Sequence, residues 1–270
     1  MVADSTFQPV RETGWRRGFA NLFRKENRAW WGTRRWLVQA ALWTVVIDGL
    51  LAFILFGLPP LMAQMDPAQL EEFEPVAQGL QAIGQVGTVA LAMGAVLLAQ
   101  DQILGERQSG VTEWILSKPV SRTAYVLSKL AADGIGVVII LAGLPMAIAY
   151  GLFWLANGAP LPLGPFLSGA AGLALHTLFY LCLTLLMGVV ADGREKLLGV
   201  PFAVLFGGLI VVSFLGTFGL FTPWSMAAVL PALVLEQALP LPAWVPLAST
   251  AVLAALCMAV TLWKFKKLEF

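Results

Sequence analysis

Two ionisable side chains, Asp48 and His176, lie deep inside long apolar stretches of the sequence. A helix that begins at Trp36 carries Asp48 about 18 Å along its axis. By the same rise, a helix that begins at Leu167 carries His176 about 14 Å along. An ionisable group is costly in hydrocarbon, so it normally faces water or the interior of a helix bundle. The sequence therefore predicts that one or both of Asp48 and His176 line a pathway through a membrane. The alternative is that each is a neutral buried group hydrogen-bonded to a neighbouring helix.

The residue patterns that enzymes use for catalysis are missing. There is no G-x-x-x-x-G-K-[ST] loop to hold nucleotide phosphates, and His176 is the single histidine, which excludes an H-E-x-x-H zinc motif. Ser168 precedes His176 by eight residues in one stretch and lacks the glycine-rich setting of a nucleophile. Cys182 and Cys257 both lie in apolar runs. We expect neither an enzyme nor a cofactor or metal bound by this chain.

Composition indicates which elements position the two ionisable residues. The chain has 270 residues, of which 59% are apolar and 12% charged, and its mean hydropathy is +0.79. A soluble domain carries about 45–50% apolar and about 25% charged residues. Six stretches are long enough to cross a bilayer as helices, which predicts an all-α integral membrane protein in one unit, 1–270. They are 36–58, 82–104, 134–156, 167–190, 197–220 and 244–264.

The positions of the basic residues predict the orientation. All 17 Lys and Arg residues lie in four segments, which are 1–35, 105–132, 191–196 and 264–270. The other three connections contain none; they are 59–81, 157–166 and 221–243. Because Lys and Arg are retained on the cytoplasmic side, both termini are expected there. We expect a multi-pass protein of a plasma membrane, of the bacterial inner-membrane kind, and no nucleic-acid partner.

The segment before the first span has the pattern of an amphipathic helix over 15–31. Its apolar side chains recur at helical spacing and are Trp15, Phe19, Leu22, Phe23 and Trp30. Arginines lie on the opposite side, as expected for a helix on the inner membrane surface in contact with lipid headgroups. Glu26 interrupts this pattern, because it falls within the apolar stripe.

The connection 105–132 is long for a link between membrane helices, which is usually about 2–8 residues in bundles. Gly110 can end the helix that extends from the second span, Pro119 stops the short helical piece that follows, and Ser121 can cap the next helix. We predict an elbow that presents Glu113, Trp114 and Lys118 on its surface.

This elbow resembles the cytoplasmic signature of type-2 ATP-binding-cassette (ABC) permeases. The matching residues are Glu106, Arg107, Gly110, Glu113, Leu116, Ser117, Pro119, Ser121, Arg122 and Lys129. Lys25 and Glu26, in an amphipathic helix just before the first span, are similar to the interface helix of the same family. One position departs from the pattern, since Val111 stands where many relatives have threonine and Thr112 follows it.

The resemblance implies a fold, partners and contact residues. It implies a coupling helix between spans two and three, an exporter formed by two permease copies, and a separate ATPase subunit that binds the ATP and Mg. The residues expected to contact that ATPase are Glu26, Glu106, Glu113, Trp114, Lys118 and Arg122. The proline-rich segment 222–242 is too broken to span the membrane, so we expect either a short helical hairpin that dips into the outer leaflet or an amphipathic surface loop. The resemblance implies that such a hairpin closes the outward end of the pathway.

Two other functions remain open from the sequence. One is an ion- or proton-coupled carrier that uses Asp48 and His176 as titrating groups, although a carrier of this kind usually shows internal repeats, and the chain has no convincing one. The other is a membrane scaffold or sensor, which leaves the elaborate elbow unexplained. The transported substrate is not indicated by any motif.

Overall fold

The computed structural model describes residues 13–65 and 71–269. Arg11 and Asp66, which contribute to the charges of the N-terminal segment and of the connection 59–81, lie outside these ranges. The described residues form helices and turns without a strand, and six helices are long and apolar enough to cross a membrane. The predicted six-span, all-α membrane fold is therefore confirmed.

We number the six long helices as spans 1 to 6 in chain order. They are Arg35–Met65, Pro75–Gln108, Arg122–Asn157, Leu163–Val190, Arg194–Val212 and Trp244–Lys267. The first three are longer than the apolar runs that predicted them, because spans 2 and 3 continue into polar residues past the hydrocarbon length and span 1 continues through Leu58–Met65. Each of these three contains one wide π-helical stretch; the stretches are Phe53–Gly57, Ile83–Gly87 and Val137–Gly143.

Span 5 ends at Val212, eight residues before the predicted end at Leu220. The chain then forms 3₁₀ turns, and Gly216 has a φ of +51°. A left-handed residue cannot continue a right-handed helix, so the apolar run 213–220 turns instead of extending the span. Apolar composition alone did not show this turn.

The six spans are unequally buried. About two thirds of the residues in the apolar windows of spans 2 and 4 are buried (67% each), against 22% in span 5 and 28% in spans 1 and 6. Span 4 packs against span 2, span 6 and the segment between spans 5 and 6. Spans 2 and 4 therefore form the centre of the bundle, and spans 1, 5 and 6 present apolar faces on its periphery.

Three further elements complete the fold. The interface helix, Phe19–Trp31, precedes span 1, and the elbow helix, Val111–Leu116, lies between spans 2 and 3. Gly18 begins the interface helix with a φ of +81° and packs so closely on Val120 that a Cβ would collide with it. The predicted hairpin 222–242 contains one helix, Met226–Val234, and no second helical arm, since the chain from 235 to 243 is irregular around its prolines.

The interface helix, the elbow and the ends of spans 4 and 6 lie at one end of the bundle. Arg107 near the end of span 2 reaches the last turn of span 4, and Arg122 at the start of span 3 reaches the last turn of span 6. We call this the basic end. It brings together the segments that carry the basic residues.

Candidate functional site at the basic end

A closed group of four charged side chains joins three elements at the basic end. Lys129 of span 3 lies with its Nζ 3.0 Å from Oε1 of Glu26 and 2.9 Å from Oε2 of Glu106. Lys25 contacts the same two acids, at 3.1 Å from Glu26 Oε1 and 2.7 Å from Glu106 Oε1. Lys129 is 1% exposed, and Glu26 is 7% exposed. The interface helix, the end of span 2 and the start of span 3 are thus held by two cations and two anions.

The ammonium group of Lys25 remains charged in this group. Burial lowers its pKa, but the hydrogen bond to Glu106 and the charges of Glu26 and Glu106 outweigh burial, so the pKa is raised above its ordinary value of 10.5. The charges of the four side chains balance, as a largely buried cluster requires.

Tyr125 links this cluster to the elbow helix. Its hydroxyl donates to Oε2 of Glu106 at 2.6 Å. Because that bond uses its single proton, the 3.0 Å contact with Thr112 must have the Thr112 hydroxyl as donor. Thr112 is 0% exposed, and the Tyr125 ring stacks on Phe265 of span 6 with 5.1 Å between ring centroids. The threonine that follows Val111 is therefore a fixed point of the elbow.

The interface helix turns its apolar stripe toward span 3. Its buried residues are Leu22, Glu26 and Trp30. Trp30 donates its Nε1–H to Oδ1 of Asp133 at 2.7 Å, four residues beyond the Lys129 that contacts Glu26. Glu26 interrupts the apolar stripe because the stripe faces a protein surface that holds a buried lysine. The central residues of the stripe therefore face protein.

Two arginines cap the C-terminal ends of spans at the basic end. Arg122 Nη1 donates to the carbonyls of Lys266 at 2.8 Å and Leu268 at 2.6 Å. Arg107 Nη1 donates to the carbonyls of Gly188 at 3.0 Å and Val189 at 2.9 Å. A cation at a helix C-terminus satisfies free carbonyls and the helix dipole. Arg122 thus has an internal role that the sequence did not indicate.

The outward surface of the elbow consists of Glu113, Trp114 and Lys118. All three side chains are exposed, and Trp114 is 65% exposed with the Lys118 Nζ 5.2 Å from its ring centroid. Thr112 and Ile115 on the other side of the same helix are buried. The elbow helix and the two residues that follow it therefore present one outward face with a tryptophan and charges of both signs.

The end of the elbow is fixed by Ser121. Its Oγ accepts from the backbone N–H of Ala124 at 2.9 Å, which is an N-cap for span 3, and donates to the carbonyl of Trp15 at 2.5 Å. Its backbone N–H donates to the carbonyl of Arg17 at 2.9 Å. The predicted cap is present, and it also binds the segment before the interface helix.

The six residues predicted to contact an ATPase therefore divide into two groups. Glu113, Trp114 and Lys118 are exposed and free to meet a partner. Glu26 and Glu106 are engaged with Lys25 and Lys129, and Arg122 is engaged with the end of span 6. These last three hold the elbow and the interface helix in place; Glu26 is buried, and Glu106 and Arg122 are half-buried.

The two predicted pathway residues lie apart from this site and inside the single chain. Asp48 is 4% exposed, and neither carboxylate oxygen has a hydrogen-bond partner among the described residues; the same holds for Thr44 Oγ1 one turn earlier. His176 is 1% exposed, and its Nδ1 is 2.9 Å from the carbonyl of Pro223. No hydrogen bond or ion pair of the described residues joins Asp48 to His176. Both side chains are therefore buried within the single chain.

Tyr125 and Asp133 were not predicted as site residues from the sequence, although their spacing indicates them. Tyr125, Lys129 and Asp133 are spaced by four and therefore lie on one face of span 3, where each is buried. The same spacing of four residues separates Glu26 from Trp30 in the interface helix and Lys129 from Asp133. This match predicts two parallel helices that pair through these positions.

These observations define the class of the protein: an all-helical, multi-pass membrane protein with a structured elbow between spans 2 and 3, as in a permease. The family model of the ABC-2 family transporter proteins matches residues 20–270. Because the match covers nearly the whole chain, the chain belongs to the ABC-2 transporter family. A permease of this family is a membrane component of transport. The comparison with curated proteins gave no match.

Proposed function

We propose that this chain is the membrane-spanning subunit of an ATP-driven exporter and that a separate ABC ATPase subunit docks on its elbow. Permeases of this family normally pair with such a subunit. The proposal rests on the exposed face of Glu113 and Trp114 on the elbow helix and of Lys118 just after its end. Thr112 and Ile115 bury the other side of that helix. A partner that pushes on a rigid face moves what lies behind it, whereas a partner that binds a mobile loop moves only the loop.

The orientation and location follow from the charges. The basic end lies in the cytoplasm, where the ATPase is, and both termini lie on that side of a plasma membrane, of the bacterial inner-membrane kind. Arg28, which is exposed on the interface helix, meets the headgroups of anionic lipids. ATP and Mg bind the partner subunit, and the permease binds no cofactor, metal or nucleic acid.

The charged cluster transmits the movement of the elbow. Glu106 lies six residues before Thr112, and both bond to Tyr125, so a displacement of the elbow helix reaches spans 2 and 3 directly. Because Glu26 is paired with Lys129 of span 3, the interface helix moves with span 3. An ATPase drives the change only if it contacts the elbow differently in its two nucleotide states. The permease then tilts as a unit.

Two copies of the chain enclose the pathway in this proposal. The outward faces of spans 1, 5 and 6 are apolar and largely exposed in the single chain, which suits both lipid and a second copy. A single chain whose centre is filled by spans 2 and 4 has little room for a pathway of its own. The pathway therefore lies between copies.

Co-purification from membranes tests this function. The tagged chain is expected to co-purify with a stoichiometric ABC ATPase, and the pair in nanodiscs is expected to hydrolyse ATP at a rate that differs from that of the ATPase alone. The double substitution of Glu113→Lys and Lys118→Glu reverses two exposed charges and is expected to abolish both effects. The exposed ion pair of Lys196 and Asp192, with its charges reversed in the same way, is the control.

The opposite outcome favours the ion-coupled carrier. If the purified chain alone moves a solute uphill in vesicles under a proton or sodium gradient, no ATPase is needed and the proposed function is wrong. In that case Asp48→Asn is expected to stop the movement, since Asp48 is the buried acid without a partner among the described residues.

A further inference from the structure

The segment between spans 5 and 6 packs along the outward half of span 4. Its helix Met226–Val234 runs antiparallel to span 4, because Leu230 meets Gly169, Met226 meets Gly172, and Pro223 meets His176. A Cβ on Gly169 would lie 2.7 Å from the Cα of Leu230, and a Cβ on Gly84 of span 2 would overlap the carbonyl oxygen of Ala227. Glycines at these two positions let the helix lie directly against spans 2 and 4.

The start of this segment lies deep in the bundle. His176 is thirteen residues from Leu163 and fourteen from Val190, so it lies about 20 Å from either end of span 4. Pro223 lies at the same level, because its carbonyl oxygen is 2.9 Å from His176 Nδ1. The chain after span 5 therefore turns near mid-depth, and the helix climbs from there toward the outer end.

Two side chains of span 4 hold this deep point. A carbonyl oxygen only accepts, so Nδ1–H of His176 donates to Pro223. One turn along, the hydroxyl of Tyr180 accepts from Nε1–H of Trp224 at 3.1 Å. The ring centroids of His176 and Tyr180 are 5.0 Å apart. The Trp224 indole covers Gly208 of span 5 so closely that a Cβ on Gly208 would overlap it. Consecutive residues of the segment are thus bonded to two neighbouring side chains of one helix face.

We propose that His176 and Tyr180 are positioning residues that anchor residues 223–225 at mid-depth and so hold the helix Met226–Val234 against spans 2 and 4 in the outer half of the bundle. The anchor assigns the single histidine a role other than lining the pathway. It rests on the proposed function only in naming the outer half. The hydrogen bonds to Pro223 and from Trp224 act as a pair, because these two residues are adjacent and must move away from span 4 together.

Accessibility of a cysteine at the anchor tests the proposal. Ser225 is 7% exposed and nearly isosteric with cysteine, so Ser225→Cys reports on the anchor in a chain whose own Cys182 and Cys257 are changed to alanine. The chain in sealed vesicles is treated with a membrane-impermeant maleimide. His176→Phe and Tyr180→Phe are each expected to speed labelling about tenfold, the effect of one buried hydrogen bond.

Two further variants separate anchoring from general loosening. His176→Gln keeps an N–H that can donate to Pro223 and is expected to restore slow labelling. Thr184→Val removes another buried hydroxyl of span 4, one that bonds only within its own helix at 2.7 Å, and is expected to change nothing. Equal labelling in all variants, or faster labelling with Thr184→Val, would overturn the proposal. If the histidine variant does not fold, Trp224→Phe removes the second bond from the other side and carries the same expectation.

A second arm keeps the anchor and the proposed function apart. In the complex with its ATPase, ATP is expected to change the labelling rate of Ser225→Cys when the anchor is intact. If the anchor variants change the labelling rate but ATP does not, the proposed function alone is contradicted. An ATP effect that persists unchanged in His176→Phe and Tyr180→Phe would contradict the anchor alone.

Discussion

Lys129 and Glu26 are 103 positions apart in the chain, yet their side chains meet with 3.0 Å between Nζ and Oε1. Lys129 also contacts Glu106, so one buried ammonium group neutralises acids from the interface helix and from the end of span 2. The interface helix is therefore fastened to the bundle by a charge and does not merely rest on it. A displacement of this helix or of the elbow therefore acts on Lys129.

Removal of the Lys129 charge is expected to destabilise the protein. Lys129→Met keeps the volume but leaves Glu26 and Glu106 with only the half-exposed Lys25 as counterion. Breaking a buried ion pair in this way costs about 3–5 kcal/mol. Equilibrium unfolding in detergent measures the loss, and Lys118→Met, an exposed lysine of the elbow, is the control with a change below about 0.5 kcal/mol. Equal effects of the two variants would contradict the role of the cluster.

Loss of the Tyr125 hydroxyl is expected to loosen the elbow. Tyr125→Phe leaves the buried hydroxyl of Thr112 without its acceptor and costs about 1–3 kcal/mol. Hydrogen exchange of residues 104–118 is expected to accelerate. Tyr150→Phe removes a hydroxyl that bonds the carbonyl of Leu161 away from the basic end, so it is the matched control. Unchanged exchange in the elbow would show that Tyr125 does not hold it.

Trp114 is expected to dominate binding of the ATPase subunit. A large aromatic side chain exposed at the centre of an interface is a typical hot spot, with about 2 kcal/mol or more at stake. Trp114→Ala is therefore expected to weaken binding at least about thirtyfold without lowering the unfolding temperature. Trp263→Ala, at an equally large tryptophan that is 52% exposed on span 6, is the control. Similar binding by both variants would remove Trp114 from the interface.

The fold was predictable because its signals are local. Length and hydropathy define six helices, and Gly110, Pro119 and Ser121 define the elbow that the structure shows between spans 2 and 3. The end of span 5 was not predictable in this way, since residues 213–220 are apolar enough to continue the span, and the turn shows only in the left-handed backbone of Gly216.

The site was only half predictable, for a physical reason. Glu106 and Glu113 look alike in the sequence, yet Glu106 is engaged by Lys25, Lys129 and Tyr125 whereas Glu113 is exposed. The difference arises from tertiary pairing with residues that are close to Glu106 in space but come from other helices. For the same reason Arg122, which has the appearance of a surface charge, proved to cap span 6.

The attachment of the interface helix is expected to weaken at high pH. The pKa of Lys25 is raised in the folded protein, so its contribution to stability is fully present below the ordinary value of 10.5 and is lost as the pH rises through the folded pKa. The difference in unfolding free energy between the native chain and Lys25→Gln is therefore expected to be constant below about pH 10 and to shrink above it. Arg28→Gln, an exposed cation on the same helix, is expected to show no such change.

Asp48 is expected to contribute to function and not to stability. Its carboxylate has no hydrogen-bond partner among the described residues, so Asp48→Leu is expected to leave the free energy of unfolding unchanged or to raise it. Asp133→Leu is the matched control, because Asp133 accepts from Trp30 at 2.7 Å and from Gln102 at 3.2 Å and its loss is expected to cost about 1–3 kcal/mol.

A buried acid without partners is retained for function if water reaches it in one state of the cycle. Asp48→Cys in the chain without its native cysteines is therefore expected to react with a small water-soluble thiol reagent in one nucleotide state of the complex. Ile47→Cys, at the neighbouring position and 3% exposed, is expected to stay unreactive in every state. If Asp48→Cys is equally inert with and without ATP, no water path reaches this position, and Asp48 does not line the pathway.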